Sequence, residues 1–389
     1  MATLDTHLVV IGGGVLGCAV AHALTRRRAQ VLLIEAETEL ALGASGANSG
    51  ILHTGFDSTP NKLETQLILR SAALREDLLE ELAVPLLRCG ARLSPTDESE
   101  RAAVRVLAEN ARVNGVQAQL EEDGALSVAG ETLTDPVAFV GALAAAAQAG
   151  GATLQLDTRV VGLAGAADGA VLVELEGGGR VRARAAVNCA GLHADDVASM
   201  AGDELLSVYP RKGEFLVFSA AKDLPQQQIL LPVPSALGKG VLVFPTVDRR
   251  AVIAGPTARE REDKRDWAVE ADAAELIVGK AQLMCPALAG LEPIGAYAGL
   301  RPAGRSANYV IERSRTLPSL IHVAAIRSTG LSASLAIGEH VVGMLTTAGA
   351  ISPSPVRPLP APAQPAAAAA WWERAILRSQ RSGTETRAP

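Results

Sequence analysis

The stretch that most constrains the fold runs from Leu8 to Glu35. A short apolar strand, Leu8-Val9-Val10-Ile11, leads into Gly12-Gly13-Gly14-Val15-Leu16-Gly17, and an Ala/Leu-rich segment separates it from a second apolar strand, Val31-Leu32-Leu33-Ile34, that ends at Glu35. The spacing predicts a βαβ unit carrying a dinucleotide fingerprint. Gly12 permits the tight turn off the strand, Gly14 lets the backbone approach a pyrophosphate, and Gly17 lets the helix pack close to the sheet. The helix N-terminus then offers free amides and the positive end of its dipole to phosphates. Glu35 can accept hydrogen bonds from both ribose hydroxyls, and its charge disfavours a 2′-phosphate, which weighs against NADP. The fingerprint alone leaves FAD and NAD open.

At 389 residues the chain is long enough for two domains or for one large α/β domain with an insertion. Aromatic residues make up only 3% of a chain rich in alanine and glycine, which suits close helix packing. The net charge of −6, with no basic stripe, gives no reason to expect a nucleic-acid partner. No signal-peptide pattern precedes the first strand, and the apolar region Val137–Ala147 is too short to span a bilayer, so a cytoplasmic protein is expected. Cys18, Cys89, Cys189 and Cys285 are far apart and form no CxxC pair, so neither a metal site nor a disulfide framework is expected.

Beyond Glu35, the small-residue run from Gly43 to His53 allows close backbone approach to a ligand, with Ser45 and Asn48 within it. Ser49 and His53 are four residues apart and would face the same way if that segment wound into one helical turn. An isolated histidine in such a loop also fits a plain surface position. Amphipathic helices are expected after Pro60, over Glu98–Asn114 and, capped by Asp135, from Pro136 to Gln148. Three β runs follow, the first joining Thr153–Leu156 with Val160-Val161, then Ala170–Leu175 and Val181–Val187. They lead to a second small-residue turn, Asn188-Cys189-Ala190-Gly191, where the backbone could again approach a cofactor. A βαβ unit, a three-stranded meander and a second glycine turn are the arrangement expected of two-dinucleotide-binding flavoproteins, which moves the reading from NAD to FAD.

Tyr209–Ser219 and Gly240–Ile253 alternate like antiparallel strands, with turns expected at Gly213 and Asp248-Arg249, and Trp267–Met284 reads as a helix. This block is read as an antiparallel-sheet substrate domain inserted into a Rossmann-like cofactor domain. The cofactor domain takes 1–84, 136–204 and 316–350, and the substrate domain 85–135 and 205–315. After the strand Leu320–Ile326, a polar turn at Ser328-Thr329-Gly330-Leu331-Ser332 precedes an apolar helix from Ala333 to Leu345, and suits contact with a flavin's pyrimidine oxygens. Residues 351–389 are a Pro/Ala-rich tail, read as mobile to Ala370 and ending in a short helix that docks through Trp371 and Trp372 or touches a membrane surface.

Up to about Leu345 these residues resemble the D-amino-acid-oxidase-like family of FAD-dependent oxidoreductases. Asn48-Ser49-Gly50-Ile51-Leu52-His53-Thr54-Gly55 is similar to the branch with FAD-dependent glycerol-3-phosphate dehydrogenases and oxidases and L-2-hydroxyglutarate oxidases. Pro210-Arg211-Lys212-Gly213-Glu214-Phe215, Lys239-Gly240-Val241-Leu242-Val243-Phe244-Pro245-Thr246, Ala254-Gly255-Pro256-Thr257 and Gly299-Leu300-Arg301-Pro302 favour its glycerol-phosphate side. The resemblance implies FAD held by Gly12, Gly14, Gly17, Glu35, Ser45, Asn48, Val160, Ala190, Gly191, Gly330, Leu331 and Ser332. It also implies an active site of His53 and Ser49 beside the flavin, Arg301 on the substrate anion, Lys239 as a basic residue and Ser328 in the turn over the flavin. His53 would take the hydroxyl proton of a small anionic secondary alcohol as its hydride passes to the flavin. Because Arg301 suits a carboxylate as well as a phosphate, oxidation of a 2-hydroxy acid or an amino acid stays open, as does a flavoprotein subunit without turnover of its own. The electron acceptor, a homodimer and a contact with the inner membrane surface are also left open.

Overall fold

The run Leu8–Ile11 is buried on every side, because it lies in the middle of a sheet covered on both faces. In the computed structural model, which describes residues 3–385 except 205, 222–223, 226, 235–239 and 360–369, it belongs to the strand Thr3–Ile11. That strand pairs in parallel with Val31–Ile34 on one side and Arg180–Asn188 on the other. Thr153–Gln155 extends the sheet beyond Val31–Ile34. The other side of Arg180–Asn188 is shared, its first half pairing antiparallel with Val171–Leu175 and its last residues parallel with Leu320–Ala324. The run expected over 153–161 is therefore two strands at different places in the sheet, since Val160–Gly165 pairs with Val171–Leu175.

The helices in chain order are α1 (Val15–Thr25), α2 (Leu63–Glu81), α3 (Glu98–Val113), α4 (Pro136–Ala149), α5 (Ala194–Met200), α6 (Ala273–Met284), α7 (Gly330–Thr347) and α8 (Trp371–Glu385). α4 begins as its sequence demands, with Asp135 accepting the amides of Val137 and Ala138 at 2.8 and 2.9 Å and Pro136 in the first turn. α1, α2, α4 and α7 cover one face of the parallel sheet in a single apolar core around Leu8, Val10, Leu33, Phe139 and Ile337. α1 and α7 lie close because Gly338 has no side chain, and a Cβ there would come within 2.7 Å of the Ala19 carbonyl. α6 is shorter than expected, since residues 267–272 are not helical, and α7 starts three residues earlier, inside the polar turn.

A second, nine-stranded sheet is mainly antiparallel and is built on the long strand Val208–Ser219. That strand pairs along most of its length with Gly295–Gly304, and its end with Ala251–Gly255. Gly213 lies inside it and makes no turn. Its side-chain position is taken by the Arg301 guanidinium of the neighbouring strand, and a Cβ there would also press on Pro256. Nearby, Leu86–Arg88 joins a small sheet with Thr132–Thr134 and Ile51–Leu52, while Ala91–Leu93 enters the large one.

The tail docks. Trp371 and Trp372 are 2% and 5% exposed, and Trp371 meets the edge of Tyr297, which stacks on Phe215 at 4.8 Å. Of the segment read as mobile, 360–369 lies outside the described residues, and before it Arg357 donates to the Gly150 carbonyl at 2.8 Å.

Among the described glycines the closest approach is at Gly17, where a Cβ would overlap the Gly12 carbonyl oxygen. Gly17→Ala is expected to cost about 1–3 kcal/mol as α1 is pushed off the strand end. Thermal unfolding should show that loss, and the purified protein should have weaker flavin absorbance than wild type.

Candidate active site

One cavity of ≈ 1570 Å³ reaches from the ends of the parallel strands to the long antiparallel strand. At one end it is lined by Gly12, Gly14, Glu35, Ser45, Asn48, Val160, Ala190 and Gly191. Gly12 has φ +109, and a Cβ there would press on the Cys189 carbonyl. Gly17 does not line the cavity; it lies against the Gly12 carbonyl. Gly14 has no side chain with which to cap α1. The Ser45 hydroxyl, thirty residues on, does so instead by accepting the Val15 amide at 3.0 Å. Glu35 accepts the amides of Gly13 at 2.5 Å and Glu37 at 2.8 Å, which fixes its carboxylate against the glycine loop. First-turn amides without intrahelical acceptors, beside a glycine floor and a carboxylate, fit an extended anionic dinucleotide.

The other end is lined by Ser49, His53, Arg301, Ser328, Gly330 and Leu331. Lys239 lies outside the described residues. Ser49–His53 does not wind into a helical turn: the turn in this loop is Ala44–Ala47, and Ile51–Leu52 is a strand paired with Thr132-Leu133. Asn48 braces the loop by accepting the Gly50 amide at 2.9 Å, and the Ser49 hydroxyl accepts the Ile51 amide at 3.4 Å. Ser332 does not reach the cavity. Its hydroxyl accepts the His53 amide at 2.9 Å and donates to the Ile51 carbonyl at 3.3 Å, so it holds the histidine strand.

Glu131, which no motif marks, is fully buried behind His53. Its Oε2 lies 2.8 Å from His53 Nδ1, and its Oε1 accepts the Thr54 amide at 2.6 Å and hydroxyl at 2.8 Å. A carboxylate on Nδ1 keeps the proton there and leaves Nε2 as the acceptor on the cavity side. Arg75 closes the arrangement by donating to the carbonyls of His53 at 3.0 Å and Gly130 at 3.3 Å.

Arg301 is not alone. Arg211 is its direct cross-strand partner, an arrangement of like charges that is unfavourable unless something offsets it. Arg327 sits in a turn between Ala325 and Ser328, two non-glycine residues with φ of 54° and 68°. All three arginines line the cavity, and among the described residues none has a carboxylate at ion-pair distance. Burial, then the charges of Arg211 and Arg327, bring Arg301 down to about 10. The alternate residues of the same strand are neutralised, with Lys212 2.9 Å from Asp266, and Glu214 3.0 Å from Arg259.

A glycine-cradled α/β unit and an antiparallel sheet that share one cavity, with a carboxylate-backed histidine and a cluster of arginines in it, define an oxidoreductase that binds a dinucleotide. The family described as DAO, FAD dependent oxidoreductase, matches residues 7–344, and the chain belongs to it. It is similar to a glycerol 3-phosphate dehydrogenase of Caloramator mitchellensis, 30% identical over 87% of this chain and 73% of the relative. The solved structure of dithionite-reduced L-alpha-glycerophosphate oxidase from Mycoplasma pneumoniae with FAD bound is 27% identical, with a TM-score of 0.83 over 88% of this chain and 95% of that one. An L-2-hydroxyglutarate dehydrogenase of Escherichia coli K12 is 25% identical over 90% of this chain and 96% of its own. The cofactor is FAD, and the protein is a flavin-dependent oxidoreductase.

Burial would raise the Glu131 carboxyl, but the facing His53 and the hydrogen bonds from His53 and Thr54 outweigh it and hold the group below its ordinary value of 4.5. The native state therefore keeps Glu131 ionised to lower pH than the unfolded chain does. Its contribution to stability is complete above 4.5 and is lost as pH falls through the depressed native value. Glu131→Gln should be less stable than wild type by about 1–3 kcal/mol at neutral pH. Denaturant unfolding at a series of pH values should show that gap closing in acid.

Proposed function

We propose that the protein oxidises sn-glycerol 3-phosphate to dihydroxyacetone phosphate, and that a further acceptor, dioxygen or a quinone, takes the electrons on. The observation that carries this reading is the group of three guanidiniums, Arg211, Arg301 and Arg327, that line the same cavity as His53 with no carboxylate at ion-pair distance among the described residues. A phosphate gathers two negative charges on one centre and can accept several charge-assisted hydrogen bonds at once, which suits clustered guanidiniums. The names of the two glycerol-phosphate relatives agree with that chemistry.

Bound FAD supplies the two-electron acceptor for the hydride on the substrate carbon. The arginines anchor the phosphate and so orient the secondary alcohol. His53 Nε2 takes the hydroxyl proton, and the resulting imidazolium is stabilised by Glu131 at Nδ1. Ser49 and Ser328 supply hydroxyls to the same wall, and Lys239 is kept as a further basic residue of the site. The antiparallel sheet serves as the substrate-binding unit.

A second reading is oxidation of L-2-hydroxyglutarate or another 2-hydroxy acid, which the Escherichia coli relative favours and which Arg301 could serve as a carboxylate clamp. A flavoprotein subunit that only relays electrons would have no use for a base held by a buried carboxylate. Among the described residues no helix is long and apolar enough to cross a membrane, and we place the enzyme in the cytoplasm. Trp371 and Trp372 are turned inward, so a peripheral membrane contact would not run through them.

Anaerobic addition of glycerol 3-phosphate should bleach the flavin spectrum, whereas L-2-hydroxyglutarate should leave it unchanged; bleaching by the hydroxy acid alone would transfer the assignment to the second reading. Arg211→Gln and Arg327→Gln should each raise KM for the phosphate substrate roughly 10- to 100-fold with little change in kcat. Glu131→Gln presents an amide N–H to Nδ1 and so favours the opposite tautomer of His53. It should lower kcat by about 10²–10⁴-fold with KM nearly unchanged, as should His53→Ala.

A further inference from the structure

The family match ends at residue 344, yet a helix from beyond it forms part of the cavity wall. α8 is anchored on both bodies of the fold. Towards the antiparallel sheet, Ser379 Oγ accepts the Ala298 amide at 2.9 Å, Ile376 fills the space over Gly295, and Glu373 pairs with Arg250. Towards the cofactor unit, Arg374 pairs with Glu39, and the helix packs on Ala44–Ala47, the turn whose Ser45 caps α1.

Between these anchors Arg378 faces the cavity. Its guanidinium lies over the indole of Trp267, 3.5 Å from the ring centre. Among the described residues it has no carboxylate at ion-pair distance, and burial against the more distant attraction of Glu37 brings it down to about 10. Glu37 is two residues past Glu35, and both line the cavity at the cofactor end, with Arg159 also present there. A dinucleotide brings a pyrophosphate to an end that already holds those two carboxylates, so an added cation offsets real repulsion.

The seat of α8 is imperfect as it stands. Among the described residues, the Tyr297 hydroxyl and the Trp372 indole nitrogen are buried without a hydrogen-bond partner, each an unfavourable contribution where the helix meets the sheet.

We propose that α8 is part of the cofactor site, with Arg378 contributing positive charge to the dinucleotide end of the cavity, so that FAD binding and docking of the tail helix reinforce one another. By linkage, whatever Arg378 adds to FAD affinity FAD returns to the docking of α8. Apoprotein should be titrated with FAD by flavin fluorescence for wild type, Arg378→Gln and Arg378→Lys, and the unfolding of each apoprotein measured alongside. Arg378→Gln should raise the FAD dissociation constant about tenfold, with Arg378→Lys recovering most of it. Trypsin should cut after Arg374 and Arg381 more slowly in wild type when FAD is present, and at a rate independent of FAD in Arg378→Gln. Wild-type FAD affinity in Arg378→Gln would overturn the proposal, whether or not the apoprotein is destabilised. So would loss of affinity in Arg378→Gln and Arg378→Lys alike with no effect of FAD on wild-type proteolysis.

Discussion

The contact between Gly17 and the Gly12 carbonyl is the constraint on which the cavity depends. It sets α1 so close to the strand end that its first-turn amides open on the space where a pyrophosphate belongs. Its influence extends past the dinucleotide, because α7 packs on α1 through Gly338 at the Ala19 carbonyl. The turn that precedes α7 carries Arg327 and Ser328. Two backbone approaches without side chains thus connect the cofactor end to the substrate end, and a shift of α1 would move both.

The βαβ unit was legible because each of its signals is local. Apolar strands, glycines at fixed offsets and a terminal acid all lie within thirty residues, and the fold places them as expected. Glu131 was not legible for the opposite reason. It reaches His53 across 78 positions, through the pairing of Ile51–Leu52 with Thr132-Leu133, and nothing in Gly130-Glu131-Thr132 announces a partner. Arg211 was within sight but not distinguishable, since Arg211-Lys212-Gly213-Glu214 holds three charges and only the facing strand says which one meets Arg301. The period-two alternation of strands would have separated Arg211 from Lys212 and Glu214 had Gly213 not been read as a turn. That glycine marks the close approach of a neighbouring side chain, a meaning that sequence alone does not separate from a bend.

The strand Val208–Ser219 also shows how the site holds its charge. On one face Lys212 and Glu214 are matched by Asp266, Glu270, Arg259 and Thr257, so burial is tolerated by pairing. On the other face Arg211 and Arg301 oppose each other, and among the described residues neither has a carboxylate at ion-pair distance. An isolated repulsion of this kind weakens a sheet, yet here it is built into a long, well-paired ladder that can bear it. Positive charge is therefore fixed in place before an anion arrives, and little reorganisation is left for the moment of binding.

The tail is joined to the site by charge as well as by apolar contact. Phe215 and Tyr297 form an aromatic shelf on the cavity-facing side of the antiparallel sheet, and Trp371 completes it from α8. Apolar packing of that kind is indifferent to what fills the cavity. The ion pairs of Arg374 with Glu39 and Glu373 with Arg250 fix which two bodies the helix joins, though as partly exposed pairs they add little to stability. Arg378 differs from both, being half-buried, charged and, among the described residues, without a carboxylate at ion-pair distance, and its energy therefore depends on the charge of the cavity's contents. A helix outside the family's common segment thereby becomes sensitive to the cofactor, because a half-buried charge facing the cavity responds to an anion where packed side chains cannot.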